Sequence, residues 1–293
     1  MFPETLLEFD RFFATDQACL EYLEKIRWPD GFLCPACPGK RAWKTGRLTY
    51  FCCDCKRQTS VLAGTIFHRT KQPLRLWFKA AWLMTGDKNG MSALGIKRQL
   101  GIRRYETAWS MLQKLRRATV RPDRDMLSGE VEVDEALLGG RRLARGRSKE
   151  RAMVAIAAEV DGNKIGRIRM RHIESATGRA LESFVTENIE KSSVVVTDGL
   201  AAYSGLGFLG YSHKPIKGYT MSDDDLLPRV NKVTSLLKRW LLGVHHGGVG
   251  HKHLQRYLDE FTFRFNRRTS TFRGQLFERL IGQALTTPAT HKA

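Results

Sequence analysis

Hydrophobic positions over residues 5–27 recur at helical spacing: Leu6, Leu7, Phe9, Phe12 and Phe13, then Cys19, Leu20, Leu23 and Ile26. They predict two short helices, the second beginning after Thr15 and Asp16. Residues 28–60 lose that period and fill with Cys, Gly, Pro and Lys, the texture of short strands and tight turns. Pro73 then opens a helix whose Leu74, Trp77, Phe78, Ala81 and Trp82 form one apolar stripe. Two more helices follow near 91–100 and 105–118, split by Gly101. The pattern changes near residue 129. GEVEVDEALLGG, MVAIAAEV, KIGRIRMRHI and SSVVVTDG are β-branched and apolar and read as strands, with a hairpin turn at Asp161-Gly162. A helix is predicted over 175–191, a strand near Tyr211–Ile216, and helices over 231–242 and 251–267. Strands interleaved in this way with helices predict a mixed α/β (α+β) sheet flanked by helices.

Charge sharpens the picture. The 293 residues hold 49 Lys and Arg against 30 Asp and Glu, a net +19. So basic a chain meets a polyanion, because each neutralised phosphate releases a counterion. The charge is clustered: Lys97–Arg124 holds nine basic and two acidic residues, and Arg141–Arg151 six and one. The chain has no uncharged apolar run near the ~20 residues of a membrane span. MFPETLLEFDRFF lacks the basic n-region of a signal peptide. The expectation is a cytoplasmic, nucleoid-associated bacterial protein without a membrane partner, whose cysteines stay reduced.

Those cysteines form two C-x2-C knuckles, Cys34/Cys37 and Cys52/Cys55, fourteen residues apart. Four thiolates so spaced suit one tetrahedral, structural Zn²⁺ with no position open for water. Cys53 is a spare that replaces Cys52 if the register differs, and Cys19 reads as a buried helix residue. Lys40, Arg41, Lys44, Arg47, Lys56 and Arg57 surround the knuckles, where they can track phosphates. Over 91–118, Leu94, Leu100, Ala108, Leu112 and Leu115 are expected to pack a helix-turn-helix core. Arg103, Arg104, Lys114, Arg116 and Arg117 are then expected along an outer, DNA-facing surface, the alternative being a plain helical bundle that links two domains.

Acidic residues supply the candidate chemistry. Alternation puts Glu132 and Asp134 on one strand face and Glu135 on the other. Asp198 ends the apolar strand Val194–Thr197, where a carboxylate either holds a metal or caps the turn that follows. In RVNKVTSLLKRWLLG, Asn231 and Lys238 stand seven residues apart and align two turns apart on a helix. They fit a metal ligand with a phosphate contact, or a solvated face. Asp223, Asp224 and Asp225 read as a solvated loop, and His245, His246, His251 and His253 as a basic loop rather than a metal site.

Taken together, RWPDGFLCPAC, QTSVLAGTIFH, YETAWSMLQKLRRA, VEVDEALLGG, VVTDGLAAY, SLLKRWLLG and HLQRYLDEFTFRFNRR resemble, in order and spacing, the zinc-ribbon DDE-type bacterial insertion-sequence transposases of the ISXO2-like family. The resemblance implies an RNase H-like catalytic domain and a DNA transposase that binds terminal inverted repeats and target DNA, as a homodimer on DNA. It implies Mg²⁺-dependent strand cleavage and transfer. Asp134, Asp198 and Asn231 would hold two Mg²⁺ (or Mn²⁺) ions, and Lys238 and Arg239 would contact DNA. Asn231 stands where many relatives have Glu. The alternatives are a catalytically inactive, transposase-derived DNA-binding protein, and a nuclease without strand transfer. The expected layout is N-terminal helices and ribbon (1–72), a helix-turn-helix segment (73–124), the RNase H-like domain (125–284) and a frayed tail (285–293).

Overall fold

The computed structural model describes residues 3–45, 49–87, 89–139, 151–216, 226–246 and 249–289. Two compact units emerge, residues 1–121 with 270–293, and residues 122–269. Within the first, α1 (Leu6–Phe12) opens on a capping box: Thr5 accepts from the Glu8 N–H while Glu8 reaches back to the cap. α2 (Asp16–Arg27) is capped by Thr15. The ribbon's strands β1 (Ala42–Lys44), β2 (Thr49–Cys52) and β3 (Gln58–Ser60) form an antiparallel sheet. α3 (Leu74–Gly86), α4 (Ala93–Gln99) and α5 (Tyr105–Arg117) follow.

The last helix of this unit, α9 (Arg273–Thr286), corrects the expected layout. Residues 270–284 pack with the N-terminal helices instead of extending the sheet domain. Phe277 is fully buried among Phe9, Phe13, Tyr22, Phe78 and Trp82, with ring centroids 5.2–6.5 Å apart. Leu276, Phe277, Leu280, Ile281 and Ala284 form the apolar stripe that holds it there. Residues 285–289 are not frayed either. Leu285 is buried, Thr65 bridges Pro288, and Ala289 donates its N–H to Gly64.

In the second unit the sheet order is β6-β5-β4-β7-β8, where β4 is Glu130–Leu138, β5 Ala152–Asp161, β6 Lys164–Ile173, β7 Val194–Thr197 and β8 Ser212–Pro215. β4, β5 and β6 run antiparallel; β7 is parallel to β4, and β8 to β7. This 3-2-1-4-5 order is the RNase H-like arrangement. On one face Val131, Val133, Ala155, Ala157 and Val195 bury against α6 (Gly178–Asn188) and the 3₁₀ helix Ala201–Leu209. On the other, Leu138, Val154, Ile156, Ile168, Met170 and Val196 bury against α7 (Pro228–His245) and α8 (His251–Phe265). Strand alternation, read from either layer, agrees on which residues look which way.

The outer edge of β6 is covered. Asn266 at the end of α8 accepts from the Ile168 N–H (2.8 Å) and donates to its carbonyl (3.1 Å). Gln255 does the same with the His172 N–H and the Met170 carbonyl. Arg268 donates to the carbonyls of Ile165 and Gly166. The opposite edge strand, β8, is four residues long and ends on Pro215.

Candidate metal, catalytic and nucleic-acid sites

The ribbon gathers the four thiols of Cys34, Cys37, Cys52 and Cys55 within 4.8 Å of one another. Cys52 takes the fourth position, so Cys53 is the spare. The knuckles are shaped by backbone bonds: the Cys34 N–H reaches Gly39 O (3.0 Å), Cys52 N–H reaches Arg57 O (3.0 Å) and Lys56 N–H returns to Cys52 O (3.1 Å). The Ala36 N–H points at the Cys34 sulfur (3.4 Å) and draws that thiol down to about 7, which favours the thiolate a metal needs. A Cβ at Gly39 would displace the Asp54 carboxylate and crowd the Cys52 sulfur at 3.1 Å. The four-cysteine cluster fits a structural zinc ribbon.

The acidic residues come together across the parallel pair. β4 and β7 align Glu130 with Val194, Val131 with Val195 and Glu132 with Val196. Two residues past that register lie Asp134, still on β4, and Asp198, just beyond the end of β7. Each is oriented by a backbone N–H: Glu135 donates to Asp134 Oδ1 (2.8 Å) and Leu200 to Asp198 Oδ1 (3.0 Å). The turn after β7 is set by Gly199, at φ +83°, whose N–H reaches Thr197 Oγ1 (3.1 Å). Asp198 therefore caps the turn that follows β7. Glu135 looks the other way and accepts from the buried Tyr203 hydroxyl (2.7 Å). Burial, with the charge of Asp198, raises the Glu135 carboxyl. Burial and the charges of Glu135, Asp134 and Asp198 hold the Tyr203 phenol protonated. Three carboxylates thus crowd one end of the sheet.

Asn231 is half-buried in the first turn of α7, while Lys238 and Arg239 are exposed two turns on. The device that docks α7 was not visible in the sequence. Glu132, 3 % exposed, accepts from the backbone N–H groups of Arg229 (2.8 Å) and Val230 (3.0 Å) and from the Arg229 guanidinium (2.9 Å). Arg229 also reaches Gly162 O (2.7 Å). A helix start leaves its first N–H groups without partners, and a buried carboxylate satisfies them while opposing the helix dipole. The only sequence signal was a Glu between Val131 and Val133, a charge where a sheet-embedded strand should be apolar.

The helix-turn-helix is present, with a different core and surface from those expected. Gly101 at φ +64° makes the turn, and Ser92 caps α4. Ile96 and Ala93 are buried whereas Leu94 is 43 % exposed. Arg103 and Arg104 are exposed at the start of α5, as a recognition helix needs. Arg116, expected on the outer surface, is instead 1 % exposed and belongs to the buried stripe of Ala108, Met111, Leu112 and Leu115. Lys114 lies 5.7 Å from the Trp77 ring centre, and Arg117 donates to Pro288 O (3.2 Å). The exposed α5 surface is its N-terminal half, including Tyr105, Glu106 and Ser110. The loop Asp223–Asp225 and most of the basic run Arg141–Arg151 lie outside the described residues. Among the described residues, no helix is long and apolar enough to cross a membrane.

A zinc ribbon, a helix-turn-helix and an RNase H-like sheet with carboxylates gathered at one end define a class of DNA-processing proteins. Comparison with known families agrees. Residues 126–266 match the ISXO2-like transposase domain, and residues 14–58 match the transposase zinc-ribbon domain. Together they span more than half of the chain, which belongs to the zinc-ribbon, ISXO2-like transposases. A relative in Halobacterium salinarum, described as an uncharacterized protein in transposable element ISH50, is 26% identical over 280 residues, covering 86% of this chain and 91% of the relative. These domains indicate an insertion-sequence transposase, a family that acts on DNA.

Proposed function

We propose that this protein cuts the ends of its own insertion sequence and joins them to target DNA, acting as a homodimer on terminal inverted repeats. Arg103, Arg104 and the exposed half of α5 read the repeat, and Lys114 and Arg117 contribute less because they are partly engaged elsewhere. Asp134, Asp198 and the Asn231 amide oxygen hold two Mg²⁺ or Mn²⁺ ions. The donors are all oxygen, which suits hard cations. Ions held there supply Lewis-acid charge at the phosphate and activate the attacking oxygen. Asp134 and Asp198 present their oxygens in fixed directions because each is tethered to a backbone N–H. Lys238 and Arg239 hold a DNA phosphate along α7. Water first attacks a phosphodiester and releases a 3′-hydroxyl; that hydroxyl then attacks a target phosphodiester, one P–O bond forming as another breaks in each step.

The observation that supports this reading is the parallel β4–β7 register, which runs the stretches leading to Asp134 and to Asp198 alongside each other. Labelled inverted-repeat DNA with Mg²⁺ tests it: cleavage and joining should occur with the natural chain and vanish in Asp134→Ala and Asp198→Ala. A second reading rests on Asn231, which offers an oxygen but no charge. On that reading the chain is a DNA-binding protein without catalysis, and tight repeat binding with no cleavage would favour it. Cutting without joining would point to a nuclease.

A further inference from the structure

The ribbon carries a surface that the cysteine cluster does not use. Trp43 on β1 lies opposite Phe51 on β2, and Phe51 opposite Gln58 on β3. Alternation puts these three on one face and Lys44, Tyr50 and Thr59 on the other. The second face is closed: Tyr50 is buried against Trp28 and Phe32, and Lys44 pairs with Glu24 at 2.7 Å. The first face is open. Trp43 is 67% exposed, and its ring lies nearly parallel to Phe51, 14° apart with centroids at 6.1 Å. Gln58 donates to Thr49 Oγ1 (3.2 Å), so amide and hydroxyl groups border the rings. Arg41, two residues before Trp43, has a side chain 82% exposed and forms a surface ion pair with Asp54 (3.3 Å) that a phosphate can replace. Residues 38–60 contain six Lys and Arg against the single acid Asp54.

An uncovered aromatic pair beside exposed cations selects its partner narrowly. A second copy of so basic a ribbon is repelled by like charge. An acidic peptide satisfies the cations but offers no flat face. A closed DNA duplex offers phosphates and groove edges, while its base faces are covered by their neighbours. An unpaired base offers both a π-face and a phosphate, and stacking on an aromatic tolerates any base. We infer that this face of the ribbon binds unpaired nucleotides of a DNA strand. Trp43 is the stacking platform, Phe51 its backing, Arg41 the phosphate contact, and Gln58 and Thr49 the groups that reach a base edge. The site is distinct from α5 and from Asp134 and Asp198, so it stands or falls independently of the proposed strand transfer.

The test uses the zinc-loaded full chain and two fluorescein-labelled probes at one fixed salt concentration: a twelve-nucleotide oligo-dT, and a dumbbell duplex closed at both ends. Trp43→Ala should weaken oligo-dT binding by about 5- to 150-fold, the range for loss of one stacked base. Trp43→Phe should stay within about threefold, because a phenyl ring also stacks. Binding of the dumbbell should change by less than about twofold, and zinc content and Tm should match the natural chain. Unchanged oligo-dT binding, or an equal loss on both probes, would overturn the proposal. So would self-association of the natural chain that disappears in Trp43→Ala. A second measurement does not depend on the alanine variant folding. Oligo-dT should quench tryptophan emission of the natural chain more than that of Trp43→Phe; equal quenching overturns the proposal as well.

Discussion

The four-cysteine cluster and the carboxylate cluster are built on opposite plans. The cysteines span 22 residues of chain, and two knuckles bring them together by local turns. Asp134, Asp198 and Asn231 span nearly a hundred residues, and on the proposed reading they converge only through the pairing of β7 with β4 and the docking of α7. The first site makes its fold, because metal binding supplies the free energy a small ribbon lacks. The second is made by its fold, because a hydrophobic sheet must form before the acids can converge. Loss of metal should therefore unfold the ribbon, whereas loss of an aspartate should leave the sheet standing.

That contrast can be broken in several ways. The largest effect expected is from chelation. Structural zinc contributes on the order of 10 kcal/mol, so removing it, or Cys34→Ala, should abolish ribbon order, read by hydrogen exchange of residues 34–58. Protection in β4, β5 and β7 should persist; its simultaneous loss would show that the two sites are not independent. Next come Asp134→Ala and Asp198→Ala, each expected to lower strand cleavage by about 10²–10³-fold or more at unchanged Tm. A large drop in Tm would make them structural residues.

Glu132→Ala tests the docking of α7. Breaking a buried ion pair by removing one partner costs about 3–5 kcal/mol, because Arg229 and two helix N–H groups are left behind. Urea melts should show that loss, with Glu132→Gln intermediate since it still accepts hydrogen bonds. Equal stability of Glu132→Ala and the natural chain would sink the role assigned to Glu132.

The smallest effect concerns pH. Burial lifts the Asp259 carboxyl from its ordinary 3.8 to about 6, against the lowering pull of Gln255 and Arg124. The folded state thus keeps a proton that the unfolded chain has released. Stability from this group is fully present below about pH 4 and is lost as pH rises through about 6. Asp259→Asn should then be more stable than the natural chain by about 2–3 kcal/mol at pH 7, an upper bound, with the two converging near pH 4. A difference that grows on acidification would reverse the sign and reject the account.

Much of this was readable from the chain because it was local or periodic. The cysteine spacing names its own partners. Alternation in EVEVDE already separates Asp134 from Glu135, and the Val194–Thr197 run announces a buried strand. Other features needed the third dimension. Arg116 looks like one more cation in a basic run, but its helical phase lies with Leu112 and Leu115 rather than with Arg103 and Arg104. Leu94 and Ile96 are both apolar, and packing alone decides that Ile96 goes inside. The Glu132–Arg229 pair joins residues 97 positions apart, and although Glu132 stands out between two valines, nothing in the chain names Arg229 as its partner. α9 did have a signal, the spacing of Leu276, Phe277, Leu280 and Ile281. Its destination among the N-terminal aromatics had none.

The amides of Gln255 and Asn266 have a consequence beyond holding a helix in place. An unguarded border strand invites a stranger's backbone to zip alongside it, and this is how many β-rich proteins clump or trade segments. Here the outward N–H and C=O groups of Ile168, together with Met170 O and His172 N–H, are already taken, and the far border is short and closed by proline. A neighbour that approaches the β6 border therefore meets side chains in place of free backbone, and this strand keeps its ladder to itself.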